Sequence, residues 1–286
     1  MQLCKLRLED GEIRVGLVDG DAVRLLALED PRGPRCLSDI LHAEDPARLV
    51  QDRLGRAPPL QASQVTFLAP VDHQDIWAAG VTYKRSREAR ERESAGAAQF
   101  YDKVYAAPRP ELFFKSTAAR VVGPEQPLHV RRDSRWTVPE PELALVLSPR
   151  LEIVGYTIGN DMSARDIEGE NPLYLPQAKV YDRSCGLGPV ITLAAAMRYP
   201  NGIDMRIERG GATVFDGATT VTRMARTFDE LISWLGRENT FPHGAVLLTG
   251  TGIVPPDDFS LDAGDIVHIE IAGIGRLTNP IDRATS

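Results

Sequence analysis

Cysteine is scarce in this chain. Cys4, Cys36 and Cys185 are the only three, far apart and with no Cys-x-x-Cys pair. An odd, scattered set argues against a disulfide framework and fits the reduced thiols of a cytoplasmic protein. Long apolar runs are missing as well. No stretch approaches the ~18 uninterrupted apolar residues of a membrane span, and Met1–Arg7 lacks the apolar centre of a signal peptide. Positive charge is in deficit: 33 Lys and Arg against 40 Asp and Glu give a net charge of −7 and a pI near 5.4. That balance argues against a nucleic-acid partner and favours small ligands. An anionic substrate would then need a local positive centre, either a bound metal or a few Lys and Arg. Histidine adds little, because none of His42, His73, His129, His243 and His268 has metal-ligand spacing to another. Internal repeats and low-complexity tracts are also absent.

What remains is the composition of an ordinary globular protein, 43% hydrophobic and 26% charged over 286 residues, enough for one large domain or two. Residues 2–28 alternate as strands do, with hairpin signals at Asp10-Gly11 and Asp19-Gly20-Asp21. Short helical patterns start at Ser38 and run through Pro46 to Leu54, and Arg56–Leu60 reads as a linker. These signs set off a small β-rich N-terminal domain, residues 1–65, suited to packing or oligomer contact, from a domain spanning residues 66–286. In the second part Ile76–Tyr83, Glu111–Lys115, Val138–Leu147, Ile153–Asn160 and Ile266–Ile271 read as strands. Met205–Arg209 and Ala212–Phe215 flank Gly210-Gly211 as a hairpin, and Thr227 with Glu230 makes a capping box for a helix to Leu235. The fold class expected is α+β and β-rich.

One pattern carries chemistry. Residues i and i+2 of a strand share a face, so Glu140 and Glu142 project side by side. A close pair of like charges repels, and a cation between them is the usual way of keeping both ionised. Hard divalent ions such as Mg²⁺ take oxygen ligands, which calls for a third carboxylate; Asp161, after the next strand, is the candidate. The alternative places both glutamates on a solvated face of an edge strand. Lys84–Glu93 has i,i+4 charge partners and should be helical, with so little apolar face that it is either a connector or a lid. Thr249-Gly250-Thr251-Gly252 is a strand-to-loop junction, suited to approaching an anion or simply to a tight turn.

Taken together, these segments resemble the fumarylacetoacetate hydrolase superfamily. The resemblance rests on Gly80-Val81-Thr82-Tyr83, Phe113-Phe114-Lys115, Glu140-Pro141-Glu142-Leu143, Gly155–Asp166, Lys179 and Thr249–Gly252, in order over about residues 76–275. Ser86–Arg90, Arg109–Lys115 and Asp166–Lys179 narrow it to the branch of dehydratases acting on 2-keto-3-deoxy sugar acids such as 2-keto-3-deoxy-D-arabinonate. The resemblance implies a mixed β-roll core and Mg²⁺ (or Mn²⁺) held by Glu140, Glu142 and Asp161. It also implies a 2-oxo acid chelated through a carboxylate oxygen and the keto oxygen, so that loss of a C3 proton gives a stabilised enolate. Lys179 would be the base and Glu111 or Glu88 the acid that protonates the departing C4 hydroxyl, with Glu111 preferred. Arg87, Lys115, Thr251 and Ser163 would contact the substrate. A homodimer or higher homo-oligomer is the expected assembly.

In one place the chain departs from the family pattern. Where hydrolases of the superfamily carry a water-activating His and Glu after the lid tyrosine, this sequence has Ser86 and Ala89. Arg85, Arg87 and Glu88 are the candidates to stand in, but an arginine stays protonated and makes a poor base. A dehydratase needs no attacking water. The favoured expectation is therefore dehydration of a 2-keto-3-deoxy sugar acid, giving 2-oxoglutarate semialdehyde from 2-keto-3-deoxy-D-arabinonate. The alternatives are hydrolysis of a C–C bond in a 2,4-diketo-3-deoxy sugar acid and a non-catalytic, metal-dependent sugar-acid binder.

Overall fold

The computed structural model describes residues 1–84, 104–197 and 201–283. Strands dominate, as the apolar alternation predicts. One sheet of twelve strands runs in the order Leu60–Gln61, Ala22–Leu25, Ile13–Asp19, Gln2–Arg7, Cys185–Leu193, Ile153–Asp161, Pro141–Leu147, Ala245–Leu248, Asp75–Gly80 and Glu111–Thr117. Thr66–Leu68 and Val121–Val122 attach at its side. A second sheet of five strands joins Ala212–Thr220, Gly202–Arg209, Ile266–Ile271, Gly275–Arg283 and Leu128–Val130. Most ladders are antiparallel. Ala245–Leu248 runs parallel to Asp75–Gly80, and Leu128–Val130 parallel to Gly275–Arg283, so both sheets are mixed.

The strand Pro141–Leu147 lies in the middle of the large sheet, paired to Ile153–Asp161 on one side and Ala245–Leu248 on the other. Every one of its residues is buried. Its near-continuous apolar run is the mark of a strand covered on both faces. The principal core cluster gathers Leu143, Leu145 and Leu147 from it with Ile158, Leu247, Met205 and Ile269 from its neighbours and the second sheet.

The local signals fold as their chemistry dictates. Gly210 and Gly211 take φ of +58° and +82° at the expected hairpin, and the Thr227 hydroxyl accepts from the Glu230 N–H at the start of the helix Phe228–Leu235. The N-terminal segment forms its two hairpins and the helices Leu37–Leu41 and Pro46–Asp52. It joins the large sheet where Gln2 and Leu3 pair with Thr192 and Ile191, and Leu3, Leu26 and Ile40 pack against Val146, Ile191 and Leu193. Arg56–Leu60 leads straight into Leu60–Gln61, which pairs with Ala22 and Val23. The expected charged helix at 84–93 falls almost wholly outside the described residues. Among the described residues, no helix is long and apolar enough to cross a membrane.

Candidate active site

Glu140, Glu142 and Asp161 meet because their strands do. Glu140 stands just before Pro141–Leu147 and Asp161 ends Ile153–Asp161; the Asp161 N–H donates to the Glu140 carbonyl at 3.0 Å, tying the two ends together. One oxygen from each of the three carboxylates lies within 4.8 Å of the other two. Exposure is 5% at Glu140 and 1% at Glu142 and Asp161, so the solvated-edge alternative does not hold.

Three cations surround them. Lys115 Nζ lies 2.6 Å from Asp161 Oδ1, and Arg165 Nη2 lies 2.9 Å from Glu140 Oε1. Lys179 Nζ bridges Glu140 Oε2 at 3.1 Å and Asp161 Oδ2 at 3.0 Å, and donates to Ser163 Oγ at 2.6 Å. Glu142 is treated differently: its oxygen accepts the Gly250 N–H, and no cationic side chain pairs with it among the described residues. Burial, then the charges of Asp161 and Glu140, hold its carboxyl well above the usual range. Gly250 makes this contact possible. It sits at φ +91°, and a Cβ there would come within 2.0 Å of Thr82 Oγ1. The anion that the Thr249–Gly252 turn approaches is thus the protein's own Glu142.

The cleft beside this cluster is lined by Gly80, Glu111, Phe113, Glu140, Asp161, Glu168, Lys179 and Thr251. Gly80 pairs with Glu111 across the ladder, and a Cβ on Gly80 would lie 2.1 Å from Glu111 Oε2. The bare backbone at that position leaves room for the Glu111 carboxylate. Lys179 follows from the short helix Leu175–Lys179, whose last residue it is, with its ammonium 5.4 Å from the centre of the Phe113 ring.

The structure therefore brings Glu111, Glu140, Asp161, Lys179 and Thr251 to one cleft, with Glu142, Ser163 and Lys115 against it. Three of these, expected as substrate contacts, also make defined contacts within the protein. Lys115 is fully buried, and its three N–H donors go to Asp161, the Met162 carbonyl and the Lys179 carbonyl. It is spoken for by the protein and stands behind the carboxylates. Ser163 accepts from Lys179 and donates to the Asp161 carbonyl at 3.1 Å, so it seats the lysine. The Thr251 hydroxyl is engaged with the backbone of Ile253. Arg87 and Glu88, and with them Ser86 and Ala89, lie outside the described residues.

Two members of the site were missed as individual residues. Arg165 and Glu168 are 1% and 3% exposed and lie three apart on the helix Arg165–Glu170, hence on one face. A helical i,i+3 pair of opposite charges just after a candidate ligand was the signal available. Glu168 and Glu111 add two more carboxyl groups to the cleft beside the buried trio. An all-oxygen donor set suits a hard ion such as Mg²⁺, and Glu142 lacks the counter-charge such an ion would bring. The residues present fit the metal.

The fumarylacetoacetate (FAA) hydrolase C-terminal family model matches residues 75–282. A probable 2-keto-3-deoxyxylonate dehydratase of Haloferax volcanii is 49% identical over 256 residues, covering 86% of this chain and 88% of that protein. A 2-dehydro-3-deoxy-D-arabinonate dehydratase of Saccharolobus solfataricus is 43% identical over 228 residues, covering 78% and 76%. Among solved structures, a 2-keto-3-deoxy-D-arabinonate dehydratase complexed with magnesium and 2,5-dioxopentanoate superposes with a TM-score of 0.83 at 34% identity, over the whole of both chains. Sheet order, the three converging carboxylates and these likenesses agree, and the chain belongs to the fumarylacetoacetate hydrolase family.

Proposed function

We propose that this protein is a Mg²⁺-dependent dehydratase of a 2-keto-3-deoxy sugar acid, such as 2-keto-3-deoxy-D-arabinonate, giving 2,5-dioxopentanoate (2-oxoglutarate semialdehyde). The observation that carries the reading is the buried trio Glu140, Glu142 and Asp161, in which Glu142 has no cationic partner among the described residues. The names of the Haloferax volcanii and Saccharolobus solfataricus relatives support it, as does the magnesium in the related dehydratase structure.

The three carboxylates would hold the ion. When bound there, Mg²⁺ (or Mn²⁺) supplies a positive centre that polarises the 2-oxo group and offsets the negative field now acting on Lys179. Lys179 Nζ, held between Glu140 and Asp161 and against Ser163, takes the proton from C3 of the substrate. Glu111, across the cleft on the Gly80 side, gives a proton to the C4 hydroxyl, which leaves as water. The C3=C4 enone that remains shifts a proton from C5 to C3, and the C5 enol so formed tautomerises to the aldehyde. Arg165 fixes Glu140, and Lys115 fixes Asp161 and the turn that carries Lys179, so the acidic cluster keeps its shape while substrate exchanges. No residue in this scheme activates water, in keeping with Ser86 and Ala89 at the hydrolase dyad positions.

We place the enzyme in the cytoplasm as a homodimer or higher homo-oligomer, with residues 1–65 as a packing module and residues 66–286 as the catalytic domain. Incubating the Mg²⁺-loaded protein with 2-keto-3-deoxypentonates and 2,4-diketo-3-deoxy sugar acids tests the reading. Aldehyde formation that EDTA abolishes is the expected result. Pyruvate release without aldehyde would identify a C–C hydrolase instead, and Mg²⁺-dependent stabilisation without turnover of any 2-oxo acid would identify a binder.

A further inference from the structure

The turn after Asp75–Gly80 holds the chain in a conformation that its own side chain opposes. Val81 sits at φ +53°. Five non-glycine residues have positive φ among the described residues (Val81, Glu125, Leu151, Arg183 and Glu238), and Val81 alone of them is β-branched. For such a side chain the left-handed region is a genuine outlier, kept only where the surroundings over-determine it. They do so here. On one side Gly80 is fixed in the ladder opposite Glu111. On the other, the Thr82 hydroxyl donates to the Thr249 carbonyl at 2.7 Å, and the Thr82 carbonyl accepts the Ala225 N–H at 2.8 Å. Tyr83 extends the hold by bridging to Met224. Val81 is thus clamped from both ends, and its side chain, buried, packs against Val104 and Tyr105.

The strained residue lines the active cleft. With Ala79 and Phe113 it supplies the apolar part of a wall otherwise rich in carboxylates. The ladder sets the order along that wall. Phe113 lies beside Lys179, with its ring centre 5.4 Å from the ammonium that faces C3 of the substrate. Glu111, two residues earlier and hence on the same face of the strand, faces the C4 hydroxyl. Gly80 is the ladder partner of Glu111, and Val81 comes next, at the step beyond C4. A five-carbon acid ends there with C5. A six-carbon acid would press its C6 hydroxymethyl group into the valine methyls, and that hydroxyl would lose water without gaining a partner.

We propose, on the dehydratase reading above, that Val81 sets the chain length of the substrate, closing the cleft behind C5 so that five-carbon 2-keto-3-deoxy acids are taken in preference to six-carbon ones. Comparing kcat/KM for 2-keto-3-deoxy-D-arabinonate and for a 2-keto-3-deoxyhexonate of the same C4 configuration tests this, with dehydration followed by proton NMR on the Mg²⁺-loaded full chain. The parent should favour the pentonate. Val81→Ala removes both γ-methyl groups and should raise the hexonate-to-pentonate ratio about tenfold, the worth of one carbon in a tight pocket. Val81→Ile keeps the β-branch and lengthens the side chain, and should lower kcat/KM for the pentonate about tenfold. Val81→Gly separates the wall from the strain, because glycine is at home at positive φ and alanine is not. A wall moves the ratio in both variants, whereas a role confined to backbone strain would set Gly apart from Ala and overturn the proposal. The Mg²⁺ thermal shift, retained in all three variants, reports an intact acidic cluster. Ratios within about twofold of the parent in Ala and Gly, with Ile as active as the parent, would also overturn the role of Val81 and leave dehydration standing. A parent that dehydrates neither acid would instead bring down the dehydratase reading, and the role of Val81 with it.

Discussion

Replacing Glu142 with Gln should stabilise the metal-free protein while abolishing its response to Mg²⁺. Glu142 is buried beside two other carboxylates, accepts one backbone N–H and pairs with no cationic side chain among the described residues, the nearby Lys179 charge offsetting only the smallest part of its penalty. Its carboxyl is raised by burial and by Asp161 and Glu140, from an ordinary value of 4.5. At pH 7 the penalty has a ceiling, because a carboxyl that costs more than the gap from 4.5 to 7 takes up a proton instead. At ~1.4 kcal/mol per pH unit that ceiling is about 3 kcal/mol. The amide keeps the shape and still accepts from Gly250, so Glu142→Gln recovers up to that amount, or up to about 5 °C in Tm for a chain of this size. The sign with pH follows. A carboxyl raised in the folded state gives stability that is full below its ordinary value and is lost as pH rises through the folded value. Metal-free parent protein should therefore weaken as pH climbs from about 4.5, and the variant should be flatter over the same interval. Mg²⁺ at a hundred times its Kd should restore about 2.7 kcal/mol to the parent and much less to the variant. Differential scanning fluorimetry from pH 4 to 8 in EDTA or Mg²⁺ measures all of this. A metal-free variant less stable than its parent, or an unchanged Mg²⁺ response, would refute the reasoning.

Three further outcomes follow from the same contacts. Lys179→Ala removes the group placed to take the C3 proton while leaving all three carboxylates; kcat should fall by about 10²–10⁴, with the Mg²⁺ thermal shift retained. Turnover at the parental rate would show that the base lies elsewhere. Gly80→Ala puts a methyl 2.1 Å from Glu111 Oε2, so the carboxylate must move; a displacement of that size costs on the order of 10²-fold in kcat with little change in metal affinity, and a variant within twofold of the parent would argue against Glu111 as the acid. Asp72 accepts from Lys5 Nζ at 2.7 Å and from Ser38 N and Oγ at 2.8 and 2.7 Å. Burial alone would raise its carboxyl, but Lys5 and Ser38 outweigh burial and hold it below 3.8. Its contribution is therefore present above 3.8 and lost as pH falls through the lowered value. Asp72→Asn should cost about 2–4 kcal/mol at neutral pH and blunt the acid limb of a urea-melt series, and an acid limb identical to the parent's would contradict that account.

Local signals in the chain were sufficient for the elements. Gly210-Gly211 between two alternating runs has one economical conformation, and Thr227 with Glu230 marks a helix start through hydrogen bonds made within a few residues. Glu140 and Glu142 could be paired from sequence because strand geometry makes i and i+2 neighbours, and Asp161 followed as the third oxygen donor such a pair requires. These inferences depend on interactions that are short in sequence or on chemistry that admits few partners.

Tertiary packing decided which charged groups serve which others. Nothing local distinguishes Lys115 from Lys179, yet one is enclosed by carbonyls and Asp161 while the other spans the acidic cluster at the cleft. Arg165 and Glu168 acquire their roles only when the helix after Asp161 folds back over Glu140. Gly250 meets Glu142 across 108 positions of chain, and Arg109 and Arg237 meet on Trp234 only once the sheet edge and the helix are in contact. Charges act through distance in space, and distance in space between remote residues is set by the packing of the whole chain.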